Sequence, residues 1–145
     1  MPATPATPLA FIAASALEMA ADIERFGLWS GGLNFIDAHS ERLDVPAAAY
    51  KAATGALPFI FAIPHREAAD TARAYIERVP AAMDTLRALA AYLATVRPDA
   101  DWTDDPIERL SAWPDLLGVD PAGIPQTLRD FAHSITAAAP APTAA

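Results

Sequence analysis

Leu9, Ile12, Ala16, Met19, Ile23 and Phe26 recur at spacings of 3, 4, 3, 4 and 3 residues. Only an α-helix brings such positions onto one face, because about 3.6 residues complete a turn. Asp22, Glu24 and Arg25 lie off that face. Thr7 suits the N-cap, Pro8 suits the first helical position, and Gly27 is a natural stop. A helix with one long apolar stripe gains most of its stability from a neighbour that covers the stripe. Such a stripe is either core, covered by further elements of the chain, or a partner-binding face, and core is the expectation here.

The rest of the sequence supplies them mostly as helices. Residues 28–43 read as a loop with room for one short extended piece at 33–36. Asp44 caps a second helix, with Pro46 in its first turn and Gly55 at its end. Its run "VPAAAYKAATG" is rich in alanine and permits close backbone approach, which predicts a central position. A third helix spans about 66–79. Arg66, Asp70, Arg73 and Glu77 form an outer ladder of alternating sign, and Ala69, Ala72, Ile76 and Val79 face inward. Pro80 restarts the chain. A fourth helix then runs to about Arg97, with Met83, Leu86, Ala90, Leu93 and Val96 inward. Asp105-Pro-Ile-Glu reads as a capping box that opens a short helix ending near Trp113. The last helix, about 125–136, presents Leu128, Phe131 and Ile135. The predicted fold class is all-α, an orthogonal or irregular bundle of five or six helices over residues 7–136. Residues 1–6 and 137–145 are Pro/Ala/Thr-rich and are expected to be disordered tails.

Composition limits the functions open to such a bundle. Alanine fills 36 of the 145 positions, so the 53% hydrophobic content contains fewer large core residues than it suggests. The net charge is −8, with nine arginines, one lysine and no basic cluster, which argues against a nucleic-acid partner. There is no cysteine, hence no disulfide and no thiolate chemistry, and the expected setting is cytoplasmic. No cationic n-region precedes the apolar start and no apolar run approaches a membrane span, so neither a signal peptide nor a membrane partner is expected.

Two stretches invite a chemical reading. In "GLWSGGLNFIDAHSE", Asp37, His39 and Glu41 alternate, and on a strand they would share one face. A histidine with two carboxylates suits zinc, manganese or non-haem iron or acid–base work. Trp29 would then form a pocket wall. The plainer reading is a turn eased by Gly31 and Gly32, with Trp29 and Phe35 folded back over the helix ends. The acidic run Asp99, Asp101, Asp104, Asp105 and Glu108 lacks the glycine and terminal acid of a calcium loop, and Asp105 reads as a helix cap. No serine lies in G-x-S-x-G and no phosphate loop occurs. No cofactor is predicted.

The third stretch is "ALPFIFAIP". Phe59, Ile60, Phe61 and Ile63 crowd a short window between Pro58 and Pro64. Periodicity leaves open a short strand or the buried start of the next helix. It equally leaves open a buried segment or an exposed patch that forms a pocket or a homodimer interface.

The order of "IERFGLWSGG", "DVPAAAYKAATG" and "LSAWPDLLGVDPAGIPQTLRDFA" resembles a family of small actinobacterial and actinophage proteins, a domain of unknown function. That family has a helix ending in a Gly-Trp turn, then an alanine-rich helix, then a C-terminal Trp-x-Asp segment. Leu28 between Gly27 and Trp29, and Pro114 after Trp113, depart from its pattern. The resemblance implies a bacterial or phage setting and carries no catalytic residue. Three functions follow for test. The first is a non-enzymatic protein-interaction or regulatory module. The second is a small-molecule or metal-dependent enzyme at Asp37, His39 and Glu41. The third is a phage or assembly structural component.

Overall fold

A computed structural model describes residues 7–30, 32–98 and 104–138. It is an all-α bundle of six helices: α1 Leu9–Phe26, α2 Val45–Thr54, α3 Arg66–Glu77, α4 Pro80–Val96, α5 Pro106–Ala112 and α6 Ile124–Ala138. Short 3-10 turns occupy Phe59–Ala62, Trp113–Asp115 and Pro121–Gly123. Among the described residues there is no strand. The extended piece expected at 33–36 reduces to an isolated antiparallel bridge from Ile36 to Leu43, beside a parallel one from Leu28 to Leu43. Residues 1–6 and 139–145 lie outside the described residues, as do Asp99 and Asp101, whereas Ala137 and Ala138, expected in the C-terminal tail, belong to α6.

Helix α1 buries Ile12, Ala16, Met19 and Ile23 as its spacing requires, while Phe26 is half-buried and Leu9 is exposed. The stripe packs chiefly on α6, which returns Ile124, Leu128 and Phe131. Ala16 and Ala20 have no exposed surface, and their small side chains let neighbouring helices approach. Arg129 of α6 pairs with Glu24 near the end of α1. Thr7 does not cap α1, whose N-cap is Pro8 with no side-chain bond. Instead the Thr7 N–H and hydroxyl both donate to Asp84 on α4, at 3.1 and 2.5 Å. This ties the start of α1 to a second helix.

Helix α2 is central, as its alanines predict. Val45 to Ala49 are buried without exception, against α1, α4 and α5. Helix α3 buries Ala68, Ala72 and Ile76. Of its outer ladder, Arg73 and Glu77 pair at 3.2 Å, and Arg73 also pairs with Asp105 at the head of α5. Helix α4 buries Met83, Leu86, Leu89, Ala90 and Leu93. Val96, expected inward, is the last residue of the helix and is 51% exposed. Asp105 caps α5 by accepting from the Ile107 and Glu108 N–H groups at 3.0 and 3.3 Å. Trp113 is buried just beyond.

Among the described residues, one acid lies in the interior. Asp44, 4% exposed, caps α2 by accepting from the Ala47 N–H at 2.9 Å, and accepts the Ser111 hydroxyl of α5 at 3.2 Å. Burial pushes its carboxyl well above the ordinary range, and these two bonds oppose the shift only in part. The folded chain therefore holds this proton more tightly than the unfolded chain does. Its stabilising effect is complete below the ordinary carboxylate range and is lost as pH rises through that range to the raised folded value. Asp44→Asn keeps a capping acceptor and removes the ionisation. We expect the variant to match wild type in acid and to exceed it at neutral pH, read from urea midpoints across that range. Asp37 and Asp84 are held low, the first chiefly by Ser40 and the second by Thr7, and carry the opposite slope in both proteins. They cancel in the difference. A difference independent of pH would refute the assignment.

Candidate functional site

Residues 27–44 are not a loose loop. The Leu43 N–H donates to Gly27 O at 3.2 Å, and Leu43 O accepts from the Trp29 N–H at 3.0 Å. The Asp44 N–H donates to Phe35 O at 2.9 Å. The Phe35 and Ile36 N–H groups both donate to Phe61 O, at 2.9 and 3.1 Å. The loop is thereby fixed on the 3-10 turn Phe59–Ala62. Pro58 sets that turn up, its carbonyl accepting from the Phe61 N–H at 3.0 Å. Within the loop, Trp29 Nε1 donates to Asn34 O at 3.1 Å, and the Arg42 guanidinium lies 5.5 Å from the Trp29 ring centre. A Cβ on Gly32 would fall 2.6 Å from Asn34 Oδ1 and 3.0 Å from the Trp29 ring, so a side chain there would have to displace the Asn34 amide.

Between these pieces and the end of α1 opens a cleft of about 400 Å³. Its apolar walls are Phe26, Ile36, Leu43, Leu57, Pro58 and Phe59, with Ala38 and Ala62 beside them. Asp37, Glu41 and Lys51 are its charged lining groups. Lys51 Nζ pairs with Asp22 at 2.9 Å and sits 5.9 Å from the Phe26 ring centre, and Arg25 lies 5.1 Å from the same ring. Asp37 accepts from the Ser40 hydroxyl, from the His39 N–H at 3.1 Å and from Arg42 at 3.1 Å. The Ser40 bond foremost, then the His39 N–H, holds its carboxyl below the ordinary range. Glu41 has φ +61°, the left-handed region that a side chain normally avoids, and it turns the chain back toward Arg42.

The candidate residues divide. Asp37, His39 and Glu41 lie on a tight turn and not on a strand, so their alternation does not place them on one face. Asp37 and Glu41 line the cleft, whereas His39 is exposed and does not. Among the described residues, no three His, Asp or Glu side chains gather closely enough to hold a metal ion. Trp29 is no wall of the cleft; it staples its own loop. The window 59–63 is a 3-10 turn, neither a strand nor a helix start, and it splits its apolar residues. Phe59 is 80% exposed at the cleft. Phe61 has no exposed surface and touches the rings of Phe35, Tyr50 and Tyr75, at centroid distances of 5.9, 4.9 and 6.5 Å. Ile60 and Ile63 are half-buried. Phe61 is thus a core residue and cannot be an interface residue.

Sequence reasoning missed Phe26, Leu57, Pro58 and Lys51 as parts of the site. Four separate segments between residues 26 and 62 meet there, and no local pattern marks such a meeting. No family model, curated protein or solved structure matches the chain. Among the described residues, no helix is long and apolar enough to cross a membrane. The functional reading therefore rests on the geometry of the cleft.

Proposed function

We propose that this chain is a non-enzymatic protein-interaction module whose binding surface is the cleft between residues 36–43 and 57–62. One observation carries the reading: Phe59 stands 80% exposed beside an apolar cleft. Main-chain hydrogen bonds hold both walls, so little ordering cost remains when something docks there. An aromatic side chain beside a preformed apolar pocket is the arrangement found at the energetic centre of interfaces. The net charge of −8 argues against nucleic acid as the partner. The absence of cysteine fits action in the cytoplasm.

The enzyme reading uses the same cleft, whose size falls in the range of small-ligand sites. It has less support. The Asp37 carboxylate is engaged by its own turn, and His39 points no lining group into the cleft. The assembly-component reading is a special case of the interaction module, with the partner a structural neighbour.

A photo-crosslinking amino acid tests the proposal. Benzoylphenylalanine replaces Phe59 in one variant and Leu117, 96% exposed and outside the cleft, in another. In its native host, the first variant is expected to give a discrete adduct that the second does not. Equal adducts from both positions, or none from position 59, would overturn the proposal.

A further inference from the structure

Resting on that reading, we infer that the occupant of the cleft is a second copy of this chain. Phe59 of each copy is seated in the cleft of the other. Three features of the face support this.

The first is shape. Phe59 is both a wall of the cleft and its most exposed large apolar neighbour, so knob and hole lie side by side. A two-fold axis pairs a patch with itself, and adjacent knob and hole are self-complementary under that operation. The cleft, about 400 Å³, has room for a phenyl ring. The turn that carries Phe59 is held by the Phe61 N–H to Pro58 O bond at 3.0 Å and by the two bonds to Phe61 O, so the knob is fixed before docking.

The second is charge. The chain carries −8, which on its own would hold two copies apart. That excess does not sit at this face. Among the described residues, the charged groups that line the cleft or touch its lining side chains are Asp22, Asp37 and Glu41 against Arg25, Arg42 and Lys51. They balance. Two copies can therefore approach through this face without a net charge that holds them apart.

The third is area, and it sets the strength. A buried phenylalanine removes about 150–250 Å² from water. Two symmetric insertions supply roughly 300–500 Å², against the ~1,200 Å² total at the low end of stable specific interfaces. The association is therefore weak and reversible, and the chain is a monomer when dilute.

Sedimentation equilibrium of the full chain over a wide concentration range tests the inference. Wild type is expected to pass from monomer to dimer as concentration rises. Phe59→Asp removes the knob, and Ala38→Phe blocks the hole from an exposed turn. Each is expected to raise the dimer Kd at least tenfold with an unchanged helical circular-dichroism signal. Leu117→Asp, at an exposed site outside the cleft, is expected to dimerise like wild type. Three results would overturn the inference: a monomer at every concentration, a Phe59→Asp variant that dimerises like wild type, or loss of the dimer only in Leu117→Asp. Dimerisation that Phe59→Asp abolishes and Ala38→Phe leaves intact would overturn the seating of Phe59 in the cleft. The crosslinker at position 59 separates this failure from failure of the interaction reading. A monomeric chain whose adduct has the mass of a different protein sinks only the second copy. A monomeric chain with no adduct sinks both.

Discussion

Phe61→Ala is expected to cost the domain about 3–5 kcal/mol, the usual range for a buried phenylalanine cut to alanine. Folded domains are stable by only about 5–15 kcal/mol, so the variant stands near the edge of folding. The ring fills the space between Phe35 on the loop, Tyr50 on α2 and Tyr75 on α3. Removing it opens a cavity where three elements meet, and the Phe35 and Ile36 bonds to Phe61 O lose the packing that positions them. Phe59→Ala, two residues away, is the control. At concentrations where the chain is monomeric it should stay within about 0.5 kcal/mol of wild type, as exposed sites do. Urea denaturation of both variants checks the pair. Equal losses would show that the turn does not separate the two rings as described.

Ile23→Asp is expected to cost at least about 4 kcal/mol, because it places a carboxylate with no matched partner in an apolar interior. Ile23 is 4% exposed within the main core, where α1 packs on α6. The charge must either be solvated by prying α6 away or be neutralised by binding a proton. Both routes weaken the helix pair that carries the most extensive packing in the fold. The expected result is loss of the cooperative thermal transition at neutral pH, with partial recovery in acid. Ile23→Val, which removes one methylene, should cost only about 0.5–1.5 kcal/mol. A stability unchanged by Ile23→Asp would mean that the α1 stripe is exposed and available to a partner.

The fold was legible in the sequence wherever a local rule acts. The α1 stripe, the Asp44 and Asp105 caps and the prolines that open α2, α4 and α5 each depend on residues within a few positions of one another. The errors fall where a distant partner, a helix end or a local turn overrode the pattern of spacing. Thr7 caps nothing locally because Asp84, 77 residues away, offers an acceptor to both its donors. Val96, the last residue of its helix, is half exposed although its spacing matches the inward face. Asp37, His39 and Glu41 alternate like strand residues, but the Asp37 carboxylate closes a turn on Ser40 and the His39 N–H.

The site divides along the same line. The amino-acid sequence by itself determined an all-α chain, the absence of thiol chemistry, an acidic balance and an unusual concentration of apolar residues at 59–63. It could not determine which of those residues turn outward, because a 3-10 turn between two prolines has neither the period of a strand nor that of an α-helix. Only the tertiary structure decided that. The Phe61 carbonyl is held by two N–H groups of the 27–44 loop, and its ring is held by three other rings. With Phe61 fixed inward, Phe59 is directed to the surface, and Phe26, Leu43 and Lys51 come from three other parts of the chain to complete a cleft beside it. Main-chain hydrogen bonds and core packing between residues distant in sequence made that choice, and neither is encoded in any short window.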